Sequence, residues 1–128
     1  MTVPKWCALN LSNMMKTFEI DATGQAVGRV ATQVAKMLLG KADPNYTPNL
    51  DPNTQVTIKN ASKVKFTGRK LEQKDYKHHT LHPGGLKTVA MKTVFRKDPT
   101  EVMRKAVYGM MTKNRRRDEL MQRLTIVA

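Results

Sequence analysis

Between residues 17 and 40 the apolar period changes from that of a strand to that of a helix, and this change constrains the fold more than any other feature. Phe18 and Ile20 alternate on a short strand at 17–20, and Asp21-Ala22-Thr23-Gly24 then turns the chain. Val27, Val30, Ala31, Val34 and Leu38 recur at helical spacing to about residue 39, Gly40 supplies the stop, and Lys41 lies beside the negative helix end. Residues 56–60 alternate like a second strand, 60–63 form a turn or one helical turn, and 64–67 read as another strand with Val64 and Phe66 inward. Strands separated by helices predict an α/β sheet covered by helices rather than a bundle or barrel.

The rest of the chain is helix and loop. Residues 42–53, rich in Pro, Asn and Asp around Tyr46-Thr47-Pro48, are a loop. Residues 88–97 predict a short helix with a frayed start. Asp98-Pro99-Thr100-Glu101 has the form of a helix N-terminus, with Asp98 capping and Glu101 reaching back. Val102, Met103, Ala106, Val107 and Met110 give that helix its apolar face, where methionine is adaptable core material. A helix through Leu120 and Met121 and an apolar segment at 124–127 end the chain.

With 128 residues the chain reads as one domain at 17–128 behind an N-terminal extension at 1–16. Met14-Met15-Lys16 is a second possible translation start, and Trp6 is expected to pack on the domain or stay loose. The longest mainly apolar segment, 34–39, is interrupted by Lys36 and is far short of a membrane span. The first residues lack a secretory pattern. An organelle-targeting reading stays open because Glu19 is the first acid, although no arginine precedes it. The one cysteine, Cys7, excludes an intrachain disulfide and fits a reducing compartment.

The net charge of +13 is unevenly placed: residues 1–55 carry +1, residues 56–97 carry +9 and residues 98–128 carry +3. A solvated surface mixes both signs, so an excess concentrated in mid-chain points to a polyanion. Its centre is 68–87, where cations, Tyr76 and three histidines precede a Pro83-Gly84-Gly85 break with little apolar material. Such a stretch suits phosphates, riboses and unstacked bases. It reads as an irregular basic loop, and so as an RNA-holding device rather than a helix shaped for a DNA groove. Few aromatics argue against a single-strand stacking platform. A second basic run, Lys113-Asn114-Arg115-Arg116-Arg117, repels itself unless an anion joins it, and is otherwise a solvated charge run. No basic residue lies on a strongly apolar helix face, so a membrane surface is not the expected partner.

Catalytic chemistry finds no support. Gly24-Gln25-Ala26-Val27-Gly28-Arg29 follows a strand and opens a helix, but the Gly-Lys-Ser/Thr of a phosphate loop and the third glycine of a dinucleotide fingerprint are missing. It reads instead as a tight turn, with Gly28 allowing close helix–sheet packing. His78, His79 and His82 lack the further ligands of a zinc site. Asp75 and Thr80 are partners for a histidine base by residue type only. No catalytic residue, metal, cofactor or small-molecule substrate is expected.

The motifs Asp21-Ala22-Thr23-Gly24, Gly28-Arg29-Val30-Ala31-Thr32, Gly40-Lys41, Tyr46-Thr47-Pro48, Asn60-Ala61, Thr67-Gly68, Tyr76-Lys77-His78-His79-Thr80, Pro83-Gly84-Gly85-Leu86-Lys87, Asp98-Pro99 and Ala106-Val107-Tyr108-Gly109-Met110-Met111 form a collinear series. Over residues 17–127 the series resembles the L-thirteen family of large-subunit ribosomal proteins. The resemblance implies a three-layer α/β/α domain around a mainly parallel four-stranded sheet with extended basic loops. It also implies binding to large-subunit ribosomal RNA from early assembly, neighbouring ribosomal proteins as partners, and no enzymatic activity. Carried over, the RNA-facing residues are Arg69, Lys70, Lys74, Tyr76, Lys77, His78, His79, Thr80, His82, Gly84, Gly85 and Lys87, with Lys113, Asn114 and Arg115 in a later basic turn. Arg29, Lys41 and Tyr46 join them from the matched motifs, as do Arg116 and Arg117 from the basic run. Thr112 stands where the family usually has Pro, Arg116-Arg117-Asp118 replaces a Gly-Arg-Ala-like segment, and many members continue past the position of Ala128. The implied place is a cytoplasmic ribosome, with an organellar ribosome as the alternative; an off-ribosome RNA-binding regulator is the alternative function.

Overall fold

The computed structural model describes residues 15–128; the expectations for Trp6, Cys7 and the extension before residue 15 lie outside the described residues. The first strand, β1 (Lys16–Asp21), leads into helix α1 (Val27–Leu38), and β2 (Thr54–Lys59) follows the long loop. Next come α2 (Lys70–Gln73), β3 (Asp75–His79), β4 (Leu86–Ala90), α3 (Met91–Lys97), α4 (Pro99–Met110), α5 (Arg116–Gln122) and β5 (Leu124–Ile126). Three strands form a parallel sheet in the order β1-β2-β5, with Phe18 opposite Val56 and Val56 opposite Leu124. The strands β3 and β4 form a separate antiparallel ribbon.

Strand alternation places the core on one face of the parallel sheet. Ile20, Val56, Ile58 and Leu124 meet Val30, Val34 and Leu38 of α1, Met103 and Val107 of α4, and Leu120 and Met121 of α5. Each fully buried aliphatic side chain of this kind stabilises by about 1.5–3 kcal/mol. The intervening residues Thr17, Glu19, Gln55, Lys59 and Thr125 are exposed, and Lys59 pairs with Glu19 at 2.6 Å on that open face. A face of this polarity has nothing to bury against a helix. Among the described residues the architecture is therefore an α/β sheet with helices on one side, where three layers were expected.

The fourth strand of the expected sheet is also replaced. Residues 64–67 make one parallel bridge, Ala26 to Lys65, in which the Lys65 N–H donates to the Gln25 carbonyl at 2.9 Å. Phe66 turns to meet Phe95 of α3 edge-on, with ring centroids 5.0 Å apart. The segment is thus held by a turn and a helix, not by the sheet.

Three helix details differ from expectation. Pro99 opens α4 as predicted, but the Asp98 side chain makes no capping bond. At the other end Met111, not Met110, enters the core; Met110 is exposed and accepts the Thr32 hydroxyl at 3.3 Å. Gly28 is not required for packing, since a Cβ there would meet only Met110 Cε at 3.9 Å. Gly40, by contrast, has φ +76° and stands where a Cβ would lie 2.7 Å from Pro52. Only glycine lets α1 end in this way against the following loop. No helix among the described residues is long and apolar enough to cross a membrane.

The ends of β1 and β2 are joined through Asp21. Its carboxylate accepts from the Asn60 amide at 3.0 Å, the Thr23 hydroxyl at 2.7 Å and the Thr23 N–H at 3.0 Å. These donors favour the ionised form and hold the Asp21 pKa at about 2, below the ordinary 3.8. A carboxylate with a depressed folded pKa contributes stability above its unfolded value, and that contribution disappears as pH falls through the folded one. Wild type should therefore unfold at a higher temperature than Asp21→Asn above pH 3.8, with the gap closing as pH falls towards 2. A gap in thermal unfolding that does not change with pH would contradict this account.

Candidate nucleic-acid interface

The stretch expected to be an irregular loop is a β-ribbon on a short helical base. α2 covers 70–73, β3 and β4 pair from Asp75 opposite Ala90 to His79 opposite Leu86, and residues 80–85 close the tip. The sequence concealed this because polar side chains occupy both faces of β3, leaving no apolar alternation. The frayed start expected for the 88–97 helix is strand β4, with α3 beginning only at Met91.

Pairing distributes the expected contact residues over two faces. Lys77, opposite Thr88, and His79, opposite Leu86, share one face. Tyr76, opposite Val89, and His78, opposite Lys87, share the other. Apart from Tyr76 and Ala90 every ribbon residue is exposed. A ribbon of two strands with no covered face is marginal by itself. Here its base is anchored, with the Met91 N–H donating to the Lys74 carbonyl at 2.8 Å and the Met91 side chain buried.

Tyr76 is part of that anchor. The Lys74 and Lys105 ammonium groups lie over its ring at 5.4 and 4.6 Å, and Lys105 also pairs with Glu101 at 3.4 Å. The ring thus joins β3 to α4 by cation–π contact instead of presenting a bare face to a base. Burial, with the Glu101 carboxylate nearby, pushes its phenol pKa above the usual value.

At the tip the Thr80 N–H donates to the Gly85 carbonyl at 2.9 Å and the Gly85 N–H donates to the His82 carbonyl at 2.9 Å. The Leu81 N–H donates to His79 Nδ1 at 2.9 Å. His79 therefore shapes the turn. Leu81 is 91% exposed with φ +66°, so a bulky apolar residue is held in the left-handed region at the outermost point. Among the described residues no group of three or more His, Asp or Glu gathers as metal ligands.

The basic run near the C-terminus divides. The Arg116 guanidinium donates to the Asp51 carboxylate, and at 3.2 Å to the Leu50 carbonyl, fixing the long loop. Arg117 lies over the Tyr108 ring at 3.7 Å and reaches its hydroxyl. Neither is a free surface cation; Lys113, Asn114 and Arg115 are exposed. The self-repulsion expected of the run is relieved within the fold by an acid and a ring. Arg29, Lys70 and Lys65 line a separate cleft at the start of α1, while Lys41, Tyr46, Asn114 and Arg116 meet in another. Arg69 is exposed just ahead of α2. Sequence reading missed Lys65 in the first cleft, Lys105 beneath Tyr76, and Arg123, which donates to the Pro52 carbonyl. Only tertiary contact identifies these residues.

The four ion pairs among the described residues use Lys16, Lys59, Lys105 and Arg116. The ribbon's Lys77 and Lys87 have no acidic partner among the described residues. Gly85 controls whether the tip can close, because a Cβ there would fall 2.0 Å from Thr80 Oγ1 and 2.9 Å from the His82 carbonyl. Gly85→Ala should open the turn and speed hydrogen exchange of the Thr80 amide, leaving the amides of α1 protected. Leu81→Gly should slow the same exchange, since it removes left-handed strain of about 1–2 kcal/mol against an unfolded-chain entropy cost of about 0.4–1. Equal exchange in both variants would refute this view of the tip.

Comparison with known proteins agrees with the motif series. The profile of the family described as Ribosomal protein L13 matches residues 15–128. The chain is 46% identical over 111 residues to the large ribosomal subunit protein uL13 of Caldanaerobacter subterraneus subsp. tengcongensis, covering 87% of this chain and 78% of the relative. It is 44% identical over 113 residues to the uL13 of Rubrobacter xylanophilus, covering 88% and 79%. With the uL13 of Caldicellulosiruptor saccharolyticus identity is 43% over 111 residues, covering 87% and 78%. The two-faced basic ribbon is therefore carried by a chain that belongs to the ribosomal protein L13 family.

Proposed function

We propose that this chain is a structural constituent of the large ribosomal subunit that organises ribosomal RNA by placing its β3–β4 ribbon between RNA segments. Membership of a ribosomal-protein family makes it a non-enzymatic protein of translation. Bacterial relatives favour a bacterial-type ribosome in the cytoplasm, with the chain joining its subunit early in assembly and neighbouring large-subunit proteins around it. Residues 17–128 act in this reading as one RNA-binding domain, with 1–16 as an extension.

The observation that carries the reading is the exposure of both ribbon faces, each with a cation that has no acidic partner among the described residues, Lys77 on one and Lys87 on the other. A surface built to meet one partner needs only one such face. His78, His79, Thr80, His82 and Gly84 then border the RNA beside these lysines, while Arg69, Lys70 and Lys74 continue the cationic strip at the base. Tyr76 serves as a positioning residue: it sets the angle between ribbon and α4.

Each neutralised phosphate contributes roughly 0.7–0.9 to the slope of log affinity against log salt. Lys77→Ala and Lys87→Ala should therefore each flatten the slope by about one unit, and together by about two, in filter binding to large-subunit RNA. If one substitution leaves the slope unchanged, only a single face meets RNA and the wedge is wrong. If neither changes it, the ribbon is not the RNA contact. Sedimentation of the wild-type chain with large subunits, and not as a free protein, is the expected companion result.

A further inference from the structure

The loop at 41–53 contains no helix or strand, yet it exposes Tyr46 at 40% and Leu50 at 64%. It is nonetheless fixed, because Arg116 holds Asp51 and the Leu50 carbonyl, and Arg123 holds the Pro52 carbonyl. Between this loop and the turn at 112–116 lies a cleft of about 150 Å³. Tyr46, Pro48 and Leu39 supply apolar wall, while Lys41 and Asn114 supply polar lining. None of its lining residues belongs to the ribbon.

The chemistry around the cleft is specific. The Asn114 side-chain amide has no hydrogen-bond partner among the described residues, so its donor and acceptor are both free for a ligand. Lys41 lines the cleft, Lys113 and Arg115 flank Asn114 in the chain, and all three are exposed with no acidic partner among the described residues. The nearby Asp51 is occupied by Arg116. An apolar wall bearing an aromatic ring, a free amide and unpaired cations fit a flat heterocycle linked to an anion. An apolar protein side chain would satisfy the wall but not the charge, and a carboxylate the charge but not the wall.

We propose that this cleft receives one unstacked nucleotide of the bound RNA, its base against Tyr46 and Pro48, its edge at Asn114 and its phosphate at Lys41. The proposal rests on the RNA-organising reading and adds a second contact, independent of the ribbon, that takes single-stranded RNA. Base–aromatic stacking is worth about 1–3 kcal/mol per base and tolerates any sequence.

The test is fluorescence anisotropy of the full chain with a labelled, unstructured oligouridylate. Tyr46→Ala should weaken binding roughly ten-fold, while Tyr46→Phe keeps wild-type affinity because the ring, not the hydroxyl, makes the contact. The Tyr46→Ala loss should be the same factor at low and high salt, since stacking releases no counterion; Lys41→Ala should instead flatten the salt slope. Asn114→Ala, which removes an exposed side chain without breaking any internal bond, should weaken binding about three-fold and guards against a folding defect in Tyr46→Ala. Wild-type affinity in both Tyr46→Ala and Asn114→Ala overturns the proposal. Should Lys77→Ala and Lys87→Ala still lower affinity for large-subunit RNA, only the cleft is lost and the wider reading stands. If Tyr46→Ala binds RNA normally but its large subunits lose a neighbouring protein, the cleft holds a protein side chain and the proposal fails.

Discussion

Like charges held on a ribbon without a core are the constraint from which the rest of the structure follows. Beyond Tyr76 and Ala90 at its root neither face of β3–β4 is covered, and its outer cations have no acidic partner among the described residues. A free two-stranded ribbon gains little from its few pairing bonds against the entropy of ordering them. The protein therefore fixes the ribbon only at its root, through Met91 and through a tyrosine ring between two lysines. The outer half has left to it only a tightly hydrogen-bonded turn.

The body supplies rigidity for that root by ordinary means. A buried face of Val, Ile, Leu and Met residues joins α1, α4 and α5 to one side of the parallel sheet. The Thr54 hydroxyl, in the one buried polar side chain among the described residues, donates to the Met37 carbonyl at 3.1 Å and ties β2 to the end of α1. α4 is the connecting member: Met103 and Val107 lie in the core, while Lys105 on the same helix contacts Tyr76. One helix thus carries core packing on one side and ribbon orientation on another, so a shift of α4 would be transmitted to the ribbon.

What could be read from sequence divides along the same line. α1 was legible because Val27 to Leu38 repeats its apolar residues at the helical period, and Gly40 marked its end with a conformation that only glycine holds comfortably. The ribbon was not legible as strand, because its pattern is fixed by pairing and by contacts at its base rather than by burial. Its composition nevertheless singled it out as the candidate RNA-holding stretch, since a cationic segment without core residues adds little to a fold by burial. Arg116 and Arg117 show the converse limit: their charges were visible, but Asp51 and Tyr108, which take them out of the free surface, are brought near only by the fold. Likewise Val64 and Phe66 have strand alternation, yet Phe95 draws Phe66 away from the sheet.

The acidic residues complete the argument. Three of the four ion pairs among the described residues join segments far apart in the chain: Lys16 to Asp43, Lys59 to Glu19, and Arg116 to Asp51. Exposed pairs of this kind contribute about 0–1 kcal/mol, too little to account for an excess of thirteen positive charges as a stabilising device. Carboxylates are placed where they pin loops and strand ends, and among the described residues none is paired with the ribbon's outer lysines or with Lys41 in the Tyr46 cleft. A protein selected for stability alone would interleave the signs there. Their separation leaves two surfaces with unmatched charge and accessible polar groups, one a projecting ribbon and the other a recess, and RNA has both the phosphates and the bases to fill them.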